Sequence, residues 1–163
     1  MIAKSTRFSP FLMTLLTLLP AMSKADLQPG LLFSDGMVLQ RDVPVRIWGD
    51  AEPGVPVGVR FRGQSVSAET GSDGKWMVEL GASAAGGPFE MEIRAGQETL
   101  QLRDILVGDV WICSGQSNME WAVADSMNAS AEIALAKDSQ IRHFKVPRSW
   151  AAEPMDRLAG GSW

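Results

Sequence analysis

Between residues 31 and 107 apolar side chains recur at every second position and are cut by dense turn signals, a pattern that a sheet satisfies and a helix does not. Val55, Val57, Val59 and Phe61 alternate with Pro56, Gly58, Arg60 and Arg62. Phe89, Met91, Ile93 and Ala95 alternate with Glu90, Glu92 and Arg94, and after Gly96-Gln97 the residues Leu100 and Leu102 alternate with Thr99, Gln101 and Arg103. Turn chemistry stands between these runs at Pro53-Gly54, Arg62-Gly63, Ser72-Asp73-Gly74 and Gly86-Gly87-Pro88, where hairpins need it. Residues 26–107 therefore predict a small antiparallel β-sandwich, of a size at which a core is possible but not generous.

The period changes after Gly108. Val110-Trp111-Ile112-Cys113 is a continuous apolar run, the pattern of a strand buried on both faces of a parallel sheet. Ser114-Gly115 ends it. Beyond Ser117 helix formers dominate, divided near Asn128-Ala129-Ser130 with Ser130 as the expected N-cap of a second helix. Residues 141–146 then read as another strand, closed by Pro147. The expected architecture is thus mixed β and α/β, with residues 108–163 holding the first strand-helix-strand unit of an α/β layer.

Residues 1–25 are expected to leave the protein. Lys4 and Arg7 precede nine uninterrupted apolar residues and threonines at 11–19, then Pro20, and Ser23-Lys24-Ala25 offers small residues for cleavage. This reads as an export signal to the periplasm or exterior. A membrane span needs about 20 apolar residues, so no membrane span is expected. Three basic and no acidic residues leave with the signal, moving the formal charge from −4 to −7. With no basic stripe, nucleic acid is not an expected partner. One cysteine and one histidine cannot make a four-ligand zinc site, and the glycine fingerprints of nucleotide binding are missing, so neither metal nor cofactor is expected.

Chemistry concentrates at Gly115-Gln116-Ser117-Asn118-Met119. A strand-to-helix turn lifts a serine Oγ clear of the sheet, while N–H groups at the helix start face any oxyanion formed beside it. Gly115 allows close backbone approach, and Gln116 and Asn118 add amide donors on either side. Ordinary capping by Ser117 and turn formation by Asn118 would explain the same residues.

Gly115-Gln116-Ser117-Asn118-Met119-Glu120-Trp121, with Gly108-Asp109-Val110-Trp111 and Phe33-Ser34-Asp35-Gly36-Met37-Val38-Leu39-Gln40 upstream, closely resembles the sialate O-acetylesterases of the SGNH hydrolase superfamily. The resemblance implies that Ser117 is the nucleophile and that its backbone N–H donates to the oxyanion. It also implies a substrate that is an O-acetylated sialic acid or another acetylated saccharide. In that family the general base is a histidine in an Asp-x-x-His segment, and further oxyanion donors come from later sequence blocks. Those are absent from this chain.

His143 lies in a predicted strand with no aspartate three positions earlier, so a strand-surface role is expected rather than that of a base. Cys113, inside the apolar run, is expected to be buried and inert. Asp109, Glu120 and Asp125 are expected to be strand-end or helix-face charges. The stop at Gly160-Gly161-Ser162-Trp163 after two predicted α/β strands gives the expectation of an N-terminal fragment, nearly inactive alone. A second reading treats the chain as a sugar-binding or structural β-sandwich without catalysis. Six tryptophans motivate it, although Trp48, Trp76 and Trp111 fall in strand patterns and suit core packing.

Overall fold

A computed structural model describes residues 27–163; the expected export signal at 1–25 lies outside the described residues. Among the described residues eight strands follow one another: β1 (Gln28–Pro29), β2 (Val38–Gln40), β3 (Val45–Asp50), β4 (Pro56–Phe61), β5 (Gln64–Glu69), β6 (Lys75–Leu80), β7 (Gly86–Ala95) and β8 (Glu98–Gly108). They form a three-stranded sheet in the order β1-β3-β6 and a five-stranded sheet in the order β2-β8-β7-β4-β5. The three-stranded sheet is antiparallel throughout, whereas the five-stranded sheet is mixed. β2 runs parallel to β8, with Val38 opposite Leu106 and Gln40 opposite Gly108. A parallel pair needs a long crossover, and the intervening strands supply one that local periodicity does not reveal.

Alternation became burial as expected. Val57, Val59 and Phe61 of β4, Met91, Ile93 and Ala95 of β7, and Ile47, Trp76, Val78 and Leu80 of the smaller sheet join one hydrophobic core. Each fully buried Ile, Leu or Met side chain there is worth about 1.5–3 kcal/mol in area removed from water. The β4–β5 hairpin turns on Arg62 (φ 47°) and Gly63 (φ 79°), with Phe61 opposite Gln64. Both residues sit in the left-handed region, as a two-residue hairpin turn requires. Thr70 is the buried polar residue of this part, and its hydroxyl donates to the Val55 carbonyl at 2.7 Å.

Two local expectations are corrected. Gly86-Gly87-Pro88 is the start of β7 rather than a turn. A side chain at Gly87 would lie 2.7 Å from the Ile105 carbonyl oxygen, so the glycine lets the strand press against β8. The alternation in β8 also slips. Leu102 and Ile105, three apart, both face the core, and the register with β7 shifts between Phe89 and Met91. Asp104, at φ 57°, takes up the extra residue as a bulge.

Past Gly108 no strand forms among the described residues. Single 3-10 turns occupy Ser117–Glu120 and Val123–Asp125, and one α-helix, α1, spans Ala129–Leu135. The expected strand-helix-strand unit is thereby corrected at both strands. Trp111 and Ile112 are 84% and 93% exposed, and Ile141 and Val146 are also exposed. A strand exists through its ladder, and no described strand lies alongside these runs. Asn128, at φ 61°, caps α1, in place of the expected Ser130. No described helix is long and apolar enough to cross a membrane.

Candidate active site around Ser117

The segment that carries Ser117 leaves the sheets through a set of polar ties. The Gln40 side-chain oxygen accepts from the Val110 N–H at 2.9 Å. Arg41 donates through Nε to Asp109 at 2.9 Å. That hydrogen bond, then the charges of Asp109 and Asp42, raise the Arg41 pKa, so the guanidinium stays charged. Asp109 is a strand-end charge, as expected.

The next residues build a turn without a strand before it. Gln116 takes an extended conformation (φ −94°, ψ −162°) as N-cap of the turn Ser117–Glu120, and makes no side-chain cap bond. The Met119 N–H donates to the Gln116 carbonyl at 2.9 Å. A Cβ at Gly115 would stand 2.6 Å from Met119 Cγ, so glycine there lets the Met119 side chain fold back over the turn. Ser117, Gln116 and Asn118 are all exposed. Ser117 thus stands exposed on one 3-10 turn rather than at the start of a full helix. Such a turn aligns few peptide dipoles and so supplies only a weak local positive field.

The other residues singled out from the sequence do not converge on Ser117. His143 is exposed, and among the described residues no hydrogen bond joins it to Ser117. It lies outside any strand, against the expectation. Cys113 is exposed, against the expectation of burial, because the apolar run around it lacks a sheet to enter. Glu120 pairs with Arg148, and the Asp125 carbonyl accepts from the Trp121 indole N–H at 3.2 Å. Trp111 is solvent-exposed instead of packed. No group of three or more metal-ligating side chains occurs among the described residues.

Sequence reasoning missed the anchor that ties this region back to the sheets. Arg142 Nη1 donates to the Gly36 carbonyl at 2.8 Å and to the Asp104 carbonyl, while Nη2 meets Asp104 Oδ1 at 2.9 Å. The guanidinium side chain is 15% exposed. Asp35 accepts from the Arg103 N–H at 2.7 Å, so loop and β8 bulge are locked together under Arg142. Trp163 adds an indole N–H bond to the Leu32 carbonyl at 2.9 Å and an edge contact with Phe144. Nothing in the sequence near Arg142 signals these long-range partners.

No family model matches the chain. Rat sialate O-acetylesterase is 38% identical over 136 residues, which are 76% of this chain and 25% of that protein. The human sialate O-acetylesterase is 37% identical over 159 residues, 86% of this chain and 30% of that one. Among solved structures, a carbohydrate acetylesterase from Xanthomonas citri is 44% identical and superposes with a TM-score of 0.81, covering 85% of this chain and 32% of its own. The chain spans about a quarter to a third of the length of these relatives.

Proposed function

We propose, from the premise that this chain is a homologue of the sialate O-acetylesterases, that it carries the nucleophile of a serine esterase that removes O-acetyl groups from saccharides. The observation that carries the reading is Ser117 itself, exposed on the turn Ser117–Glu120 directly after Gly115 and Gln116. Its Oγ would attack the acetyl carbonyl carbon while a general base takes the hydroxyl proton. The tetrahedral oxyanion would collapse by expelling the sugar alkoxide, protonated by the same base, to leave an acetyl-enzyme. Water would then release acetate and restore the serine. The Ser117 N–H would be one oxyanion donor, and Gln116 and Asn118 would orient the sugar.

Within the proposed arrangement residues 26–107 form the β-sandwich domain and 108–163 open an SGNH-type α/β domain. The base and the remaining oxyanion donors come from polypeptide outside this chain, so the chain alone turns over acetyl esters hardly faster than water. O-acetylated sialic acid is the proposed substrate. The 1–25 segment is proposed to direct export, with N-terminal sequencing of the exported protein expected to begin at Asp26.

The test joins this chain to the remaining two-thirds of the Xanthomonas citri enzyme. The chimera is expected to hydrolyse an acetyl ester, and Ser117→Ala to lower kcat by about 10³-fold or more. A chimera equally active with alanine at 117 would refute the serine mechanism. The isolated chain and its S117A variant should be alike and nearly inactive; clear serine-dependent turnover by the isolated chain would refute the claim that the base lies elsewhere.

A further inference from the structure

The outer face of the three-stranded sheet carries a feature that core packing does not use. Trp48 stands opposite Met77 across β3 and β6, with Arg46 opposite Glu79 on one side and Asp50 opposite Lys75 on the other. Trp48 and Met77 are 38% and 53% exposed. They form an apolar platform between two cross-strand pairs of opposite charge. Residues 156–158 pass over this face, held by ion pairs Lys75–Asp156 and Asp50–Arg157. Together they enclose an open cleft of about 570 Å³, within the size range of small-ligand sites.

We propose that this cleft is a binding subsite for a neutral pyranose of a saccharide chain. The inference rests on the proposed activity only for the class of ligand, a saccharide. Trp48 is held by an edge contact with Phe33, ring centroids 4.6 Å apart at 82°, so the platform is set before any ligand arrives. Its indole N–H makes no hydrogen bond among the described residues, leaving a donor for a sugar hydroxyl. Gly30 beside it has no side chain, and a Cβ there would lie 2.8 Å from Trp48 Nε1. A ring with C–H groups on its faces and hydroxyls on its edge suits an apolar platform rimmed by carboxylates and cations. The three cations beside the platform, Arg46, Lys75 and Arg157, already face the carboxylates of Glu79, Asp156 and Asp50, so none of them is left over to receive a sugar carboxylate. The charge pattern favours an uncharged ring over an acidic one.

The test titrates the chain with cellotetraose, xylotetraose and N-acetylneuraminic acid while indole N–H signals are followed by NMR. At least one neutral probe is expected to bind with a millimolar dissociation constant and to shift the Trp48 signal. Trp48→Ala should weaken binding about tenfold. Trp48→Phe, which keeps a ring but loses the donor, and Met77→Ala, at an exposed position, should each weaken it less. Three results would overturn the proposal: no saturable shift with either neutral probe, binding untouched by all three variants, or tighter binding of N-acetylneuraminic acid. Ser117→Ala should leave this binding unchanged. Loss of the Ser117 mechanism with binding intact would remove the activity alone, whereas a Ser117-dependent chimera with no Trp48-dependent binding would remove the subsite alone.

Discussion

The chain before Gly108 and the chain after it contain similar kinds of side chain and treat them in opposite ways. Among the described residues, every buried hydrophobic residue lies between Phe33 and Val107. From Val110 to Met155 the large apolar residues other than half-buried Phe144 are exposed, Trp150 completely so. Composition does not separate the two stretches; the availability of partners does. In the first, alternation places apolar residues on facing sheets, which cover one another. In the second, contiguous apolar residues have no described layer to enter, and the segment is tied down by polar bonds from Arg41, Arg142 and Trp163 instead.

The contrast can be broken most forcefully by truncation. Ile93→Ala, at a fully buried position, should cost about 2–5 kcal/mol in denaturant unfolding, whereas Ile112→Ala should change stability by less than about 0.5 kcal/mol. Equal effects would show that the second region is packed after all. A smaller loss is expected from Gly49→Ala. A Cβ there would meet the Gln28 carbonyl oxygen at 2.2 Å and Pro29 Cα at 2.7 Å, both backbone atoms, so β1 must move away at a cost of about 1–3 kcal/mol.

Arg142→Met probes the tie between the regions. It leaves the Gly36 and Asp104 carbonyls without their guanidinium donor, and should cost about 1–3 kcal/mol while raising hydrogen exchange at residues 36, 103 and 104. Unchanged exchange there would show the anchor to be idle. The smallest effect concerns the Lys75–Asp156 contact. Its hydrogen bond and then its charge lower the Asp156 pKa and raise that of Lys75. Asp156 is therefore stabilising above the ordinary carboxylate range and loses its contribution as pH falls through its lowered value. Lys75 contributes below the ordinary lysine range and loses its share only as pH rises through its raised value. Proteolytic cutting near residues 156–158 should be flat between those limits and rise in acid, and Asp156→Asn should remove the acid dependence.

Much of the first region was legible because each signal was local. Val57, Val59 and Phe61 declare a face, and Arg62-Gly63 declares the turn that follows. The bulge at Asp104 was hidden, since Leu100 and Leu102 continue a pattern that slips only where β8 meets β7. Around Ser117 the turn itself could be read from Gly115 and the polar residues after it. The strand before it could not be realised, because Val110-Trp111-Ile112-Cys113 states a need for neighbours without containing them. Arg142 was invisible for a related reason: its partners lie 106 and 38 residues away.

By itself, then, the sequence determined the faces, the turns and the placing of a serine on a sharp polar bend, all of which depend on side-chain period and on backbone preferences within a few residues. The tertiary structure alone decided that β2 runs parallel to β8, that Trp48 looks outward while Trp76 is buried, and that Arg142 clasps a loop and a bulge. Those outcomes depend on which distant groups meet, and burial and hydrogen bonding are properties of that meeting rather than of either residue alone.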